Sequence, residues 1–143
     1  MYVRANFLLH IYYGHVRLML YRPFVHYISK TTTNKVDGRA QRFAVACIDA
    51  SREIIRIAIE MNRRDLLVGA FWFEFYTIFS AILALTFPIL DRSHGLNISE
   101  LLGEAKAGRE ILMHLAPRSL TANRCYQILA VRAFNIYCKD FGF

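Results

Sequence analysis

Apolar residues in this chain recur at three- and four-residue steps and nowhere in sustained alternation, which is the signature of helices and not of strands. The least polar stretch, residues 66–90, holds a single charge, Glu74, in twenty-five positions. That length suits either a membrane span or the central helix of a bundle. Its small or polar positions, Ala70, Glu74, Thr77, Ala81, Ala84 and Pro88, fall at steps of three and four. They predict a groove along which a neighbouring helix can approach closely.

The remaining pattern predicts four more helices around it. Residues 2–28 place Leu8, Ile11, Tyr12, His15, Leu18 and Met19 on one apolar stripe. Pro23 should end this helix near Tyr21 or kink it into a further turn. Arg22 continues the stripe, so its stem is expected to pack inward toward an acidic or carbonyl partner. Residues 29–38 read as a polar linker. In 39–64, Ala44, Cys47, Ile48, Ser51, Ile54, Ile55, Ala58 and Ile59 form a dry face opposite a charged one, with Glu60 spaced to pair with Arg56 and Arg64.

Pro88 draws the apolar helix toward its end, and residues 91–95 make a turn. Asn97 or Ser99 then caps a helix carrying Ile98, Leu101, Leu102, Ala105, Ile111, Leu112 and Leu115, which stops at Pro117. Ser119 caps a last helix through about Lys139, with Cys125, Ile128, Leu129, Arg132, Ile136 and Tyr137 at its repeating positions. The expected fold is all-α: a compact single domain over residues 1–143, with about five helices.

Composition narrows the function classes. A hydrophobic fraction of 55% in 143 residues supports a full core. The net charge of +7 lies in residues 1–64, which carry 11 basic and 4 acidic side chains, against 7 and 7 in the remainder. Such a bias suits an acidic partner, a nucleic acid or an anionic membrane surface. The arginines are spaced singly, however, with no basic block or DNA-reading motif, and read as a solvated face. Cys47, Cys125 and Cys138 lack CxxC spacing and read as buried thiols in a reducing compartment. Residues 1–28 offer no clean signal-peptide core.

No glycine-rich phosphate loop, nucleophile elbow or HExxH stands in the chain. His10 and His15 are five apart, on different faces of a helix, and nothing in their spacing brings His114, Cys125 and Cys138 together. The reading assigns no catalytic, cofactor, metal or DNA-binding residue. Glu74 stands out, since a carboxylate in such surroundings is neutral, paired or functional. A partner such as Arg22, or hydrogen-bond donors, is the expected answer. Hydropathy also permits a single span at 66–90, where fourteen Leu, Ile, Val and Phe residues oppose one acid. The amphipathic neighbour at 39–64 favours soluble packing instead.

Three segments carry a resemblance. Leu9-His10-Ile11-Tyr12-Tyr13, followed by Leu18-Met19-Leu20-Tyr21-Arg22-Pro23-Phe24, resembles a segment in the regulatory middle homology region of fungal zinc-cluster transcription factors. Cys47-Ile48-Asp49-Ala50-Ser51-Arg52-Glu53-Ile54-Ile55 is similar to the next helix of that region, and Trp72-Phe73 with Tyr76-Thr77-Ile78-Phe79-Ser80-Ala81 to the one after. The match covers about residues 7–90 and is loose beyond. It implies an all-helical, nuclear, non-catalytic domain that regulates transcription through its own polypeptide or protein partners. A small-molecule inducer also falls within what it implies, and self-association is expected from the apolar surface that a partial domain exposes.

In that family DNA is contacted by a six-cysteine cluster holding two zinc ions. This chain has three cysteines in other spacing, so neither zinc nor DNA binding carries over to any residue here. The chain is expected to be the C-terminal part of such a domain, poorly soluble or oligomeric in isolation. Tyr12, Tyr13, Arg22 and Pro23 are expected to fix the first helix. Trp72, Phe73, Tyr76 and Phe79 are expected in the core, with Glu74 beside them.

Overall fold

Pro23 divides the N-terminal segment in two. Helix α1 runs from Tyr2 to Tyr21, and the chain then tightens into a 3-10 segment, Arg22–Thr32, in which the missing N–H of Pro23 sits in the first turn. The structure, a computed structural model, describes residues 2–32, 38–68, 71–90 and 96–133, and every regular element among them is helical. After α1 come α2 (Gly38–Arg63), α3 (Trp72–Leu90), α4 (Ile98–Leu115) and α5 (Leu120–Ile128), the last widening into a π turn at Leu129–Ala133. Of the polar linker foreseen at 29–38, Ser29 to Thr32 instead continue the 3-10 segment, and Gly38 opens α2. Residues 33–37, the 91–95 turn, Ala70, Ile136, Tyr137 and Cys138 lie outside the described residues.

The amphipathic reading of α2 holds for seven of its eight dry positions: Ala44, Cys47, Ile48, Ser51, Ile54, Ile55 and Ala58 are buried. Ile59 is exposed, and Ala50 and Met61 are buried in its stead, because α2 is covered on two sides and its dry face is broader than one stripe. Its end is a turn that the pattern did not announce. Leu66 N–H bonds to Met61 O at 2.9 Å and Asp65 N–H to Asn62 O at 3.1 Å, with Asp65 at φ 55°, the pairing of a Schellman cap. Residues 66–68 therefore leave the helix, and α3 starts at Trp72, six positions later than the apolar run suggests.

Helix α3 touches all four other α-helices and the 3-10 segment, which places it at the centre. It is long and apolar enough to cross a membrane, yet 67% of its most apolar window is buried inside the bundle. Phe75, Ile78, Ile82, Leu85 and Ile89 are almost fully enclosed. The small positions Thr77, Ala81, Ala84 and Pro88 are buried as well, as the groove pattern predicts. A helix apolar on every side is what the middle of a bundle requires. Pro88 is accommodated within the last turns without stopping the helix before Leu90.

Helices α4 and α5 close over α3. Asn97 caps α4 by accepting from the N–H of Glu100, and Ser119 caps α5 by accepting from the N–H of Ala122. Close approach is set by glycine: a Cβ on Gly108 would meet Ile55 Cδ1 at 2.7 Å and Ile82 Cδ1 at 3.0 Å. Outside the core, Arg52 bonds both Glu100 and Glu104, and Arg56 reaches Glu104 at 3.2 Å, tying α2 to α4. The expected pair of Arg56 with Glu60 is thus replaced, and Glu60 is held by Arg63 and Arg64 at 2.8 and 2.5 Å.

Candidate functional site

The unusual chemistry gathers where α1 crosses the start of α3. Burial leaves the Glu74 side chain no exposed surface, and Arg4 Nη2 donates to its Oε1 at 2.6 Å. The same guanidinium donates through Nε to the carbonyl of Leu66 at 3.1 Å and lies 4.7 Å from the centre of the Phe71 ring. Arg4 thereby clamps three parts of the chain: α1, the extended strip after α2, and α3. Oε2 of Glu74 is buried without a hydrogen-bond partner. Burial pushes the Glu74 carboxyl above its usual value, and the Arg4 charge opposes the rise.

The partner expected for Glu74 was Arg22, and the structure replaces it with Arg4. Glu74 lies at the start of α3, against the first turn of α1, whereas Arg22 lies beyond the far end of α1. The stem of Arg22 does not continue the buried stripe, because the 3-10 twist after Tyr21 leaves it exposed. Its charge is still felt by Cys47, whose thiol burial pushes up to about 11. Pro23 is exposed beside it.

About three turns further along α1 and one turn further along α3, His15 Nδ1 sits 3.3 Å from Thr77 Oγ1, and the ring lies edge-on to Phe73 at 4.8 Å and tilted to Tyr76 at 6.2 Å. Burial lowers the His15 pKa from 6.5. Tyr12 meets Phe73 edge-on at 5.3 Å, and Trp72 meets Phe73 at 5.7 Å. Tyr13 faces outward, with Arg17 over its ring at 5.7 Å. The aromatic residues at this junction form one continuous cluster, open to solvent on one side.

That openness corrects the core assignment. Trp72 is 62% and Tyr76 is 40% exposed, Phe73 and Phe79 are half-buried, and Phe75 takes the central place. Because α3 touches its neighbours on several sides, its exposed large hydrophobic residues are Trp72, Tyr76 and Leu90, while Phe79 and Leu83 pack half-buried against the core. The clamp residue Arg4 also went unassigned in the sequence. The one signal for it was a lone charged residue in the first turn of α1.

The rest of the surface offers little for chemistry. Cys47 and Cys125 are buried on α2 and α5, and burial holds both thiols in the protonated form, which binds metal poorly. Among the described residues, no group of three or more His, Cys, Asp or Glu converges as a metal site. An open groove of about 450 Å³ between α2 and α4 is lined by Ile59, Asn62, Glu110, Met113 and His114 among others.

No protein-family model matches the chain, and no solved structure matches it. Curated relatives do. The chain is 37% identical over 134 residues to "Activator of stress genes 1" of Saccharomyces cerevisiae, covering 90% of this chain and 14% of that protein. It is 29% identical to "Activator of stress genes protein 1" of Candida albicans, over 87% of this chain and 14% of that one. A second Saccharomyces cerevisiae protein, named as a transcriptional regulatory protein, is 29% identical over 90% of this chain and 18% of its own length. The chain thus spans less than a fifth of each relative, and over nearly all of its own length it is similar to fungal proteins named as regulators of transcription.

Proposed function

We propose that this chain is a regulatory, non-catalytic helical domain of a fungal transcription regulator of the zinc-cluster class, acting in the nucleus through contacts within its polypeptide or with partner proteins. The observation that carries this reading is the similarity over 134 residues to "Activator of stress genes 1". The arrangement at α1 and α3 supports it. The Arg4–Glu74 clamp and the half-buried aromatic cluster make a rigid, partly apolar surface, which suits recognition of protein. The aromatic residues face outward and do not enclose a cavity, so protein contact is preferred to a small inducer. In this reading DNA is contacted by a zinc cluster outside the described helices.

The test is to fuse the 143-residue chain to a heterologous DNA-binding domain and read a reporter in fungal cells. The fusion should shift reporter output relative to the DNA-binding domain alone, and a core-breaking Phe75→Asp variant should return it to baseline. An unchanged reporter from a stably expressed nuclear fusion would overturn the proposal.

A further inference from the structure

The end of α1, the 3-10 segment and the start of α2 meet in a small patch of aromatic rings. Tyr21 stacks on Phe43 at 5.5 Å with 16° between the ring planes, and Phe24 lies tilted against the same ring at 5.1 Å. Phe43 is 38% exposed, and Arg22, Pro23 and Arg42 are exposed as well. Arg22 follows Tyr21 in the chain and Arg42 precedes Phe43, so each ring of the stacked pair has an exposed arginine for a neighbour. Arg22 also lies close enough to α2 for its charge to reach Cys47, one turn beyond Phe43.

These two arginines differ from most others in the chain. Arg4, Arg17, Arg52, Arg56, Arg63 and Arg64 are each held by a carboxylate from α2, α3 or α4. Among the described residues no carboxylate pairs with Arg22 or Arg42, and Arg42 makes only a 3.3 Å bond from Nε to the carbonyl of Gly38. The surrounding sequence is basic too: residues 22–48 hold Arg22, Lys30, Lys35, Arg39 and Arg42 against one acid, Asp37. The next acid along α2 is Asp49, one heptad past Arg42 and roughly 10 Å away along the axis. The positive charge at this end of the bundle is therefore uncompensated where it flanks apolar surface.

That pairing of cation and ring selects an occupant. Two arginines neutralise two negative groups, too few for a run of nucleic-acid phosphates. The facing sides of Tyr21 and Phe43 are taken by each other, which removes much of the platform on which a base would stack. A second copy of the chain fits poorly, because its net charge is +7 and its Glu53, Glu60, Glu74, Glu100 and Glu104 are already in ion pairs. Carboxylates on either side of a large apolar side chain match the patch in both charge and polarity.

We infer that the patch formed by Tyr21, Phe24 and Phe43, with Arg22 and Arg42 beside it, docks a short acidic peptide segment of a partner protein. The inference rests on the reading of this domain as one that works through protein contacts. The partner's apolar side chain packs on Phe43 and Pro23, and its flanking carboxylates accept from the two guanidinium groups.

The test uses the full chain and a fluorescein-labelled peptide of about ten residues, one Phe flanked on each side by Glu, read by anisotropy. One matched peptide carries Gln for Glu and another Ser for Phe. The first peptide should bind, both matched peptides should bind about tenfold more weakly or worse, and added salt should weaken the complex. Arg22→Gln and Arg42→Gln should each reduce affinity by about fivefold, and the double variant should remove binding. Arg22 makes no hydrogen bond that its loss would break, so thermal unfolding of Arg22→Gln should match the wild type. Arg124→Gln removes the same charge from an exposed position on α5 and should leave affinity within about twofold.

Equal binding of the Glu and Gln peptides, or equal losses in Arg22→Gln and Arg124→Gln, would overturn the inference. So would tighter binding of an oligothymidylate of the same length, or no binding of any peptide. A reporter effect that persists when the acidic peptide does not bind removes the docking patch and leaves the regulatory reading. A silent reporter with peptide binding intact removes the regulatory reading and leaves the patch.

Discussion

Arg4 and Glu74, seventy residues apart in the chain, meet at 2.6 Å between α1 and α3, and only the arginine keeps any contact with solvent. The pair is asymmetric in what its loss would do. Arg4→Ala leaves a buried carboxylate facing apolar side chains and should destabilise the fold by about 3 kcal/mol. Glu74→Met removes the charge and fills its space, and should be close to neutral. Urea unfolding of the two variants side by side checks this; equal losses would show that the pair, and not the buried charge, sets the energy.

The pH dependence of that site has a definite sign. Burial raises the Glu74 pKa above 4.5 in the fold, so the folded state holds its proton more tightly than the unfolded chain. Its contribution is complete below pH 4.5 and is lost as pH rises through the raised value. Glu74→Gln should abolish that loss. Arg4→Ala should steepen it, since the guanidinium restrains the rise. Unfolding free energies measured between pH 4 and 8 read both slopes.

His15, about three turns further along α1, works in the opposite direction. Its pKa is lowered from 6.5 by burial, so the unfolded chain takes up the proton first. Its contribution is present above pH 6.5 and is lost as pH falls through the lowered value. In His15→Phe, which keeps a ring against Phe73 and Tyr76, the fall below pH 6.5 should disappear. Because Glu74 and His15 titrate with opposite sign at one helix crossing, the double variant Glu74→Gln/His15→Phe should show the flattest pH profile of the set.

Periodicity identified α2, α4 and the central role of α3, because each buries a face whose spacing is written in side-chain polarity. Capping chemistry, which is local, named Ser119 and offered Asn97 beside Ser99, of which the structure uses Asn97. Two kinds of information were not local. Asp65 adopts the left-handed turn that a glycine would have announced, so the apolar run 66–90 read as one helix when the backbone leaves α2 and restarts at Trp72. Partner choice was the other: Glu74 pairs with Arg4 and Arg56 with Glu104 because of where helices cross, which spacing along one helix cannot reveal. The aromatic residues failed for the same reason, since hydrophobicity alone does not separate Phe75 inside from Trp72 outside.

Glycines test the helix crossings. Gly108→Ala drives a Cβ to 2.7 Å from Ile55 and 3.0 Å from Ile82, two core side chains on different helices, and should destabilise by about 1–3 kcal/mol. At Gly14 the added Cβ meets one side chain closely, Ile54 Cγ1 at 2.9 Å, with the Ala50 carbonyl oxygen at an ordinary 4.0 Å, so the helix-propensity gain should offset part of the strain. Gly103 faces open space within α4, and Gly103→Ala should stabilise by about 0.5–1 kcal/mol. The order Gly103→Ala above wild type, then Gly14→Ala, then Gly108→Ala is read from thermal melts. A neutral Gly108→Ala would show that α2, α3 and α4 are packed less closely than the geometry states.

Phe75 and Trp72 stand three positions apart on α3 and face opposite surroundings. Phe75 is fully buried, whereas Trp72 is 62% exposed and touches mainly Phe73 and Tyr76. Removing Phe75 forfeits both its transfer from water and the contacts around the space it leaves, so Phe75→Ala should cost about 3–5 kcal/mol. Trp72→Ala removes a larger ring yet leaves no enclosed cavity, and should cost under about 1 kcal/mol. Guanidinium unfolding followed by far-ultraviolet circular dichroism serves both variants, since Trp72→Ala removes the fluorescent reporter. If Trp72→Ala proved the more damaging, the start of α3 would have to lie deeper in the bundle than its exposed ring allows.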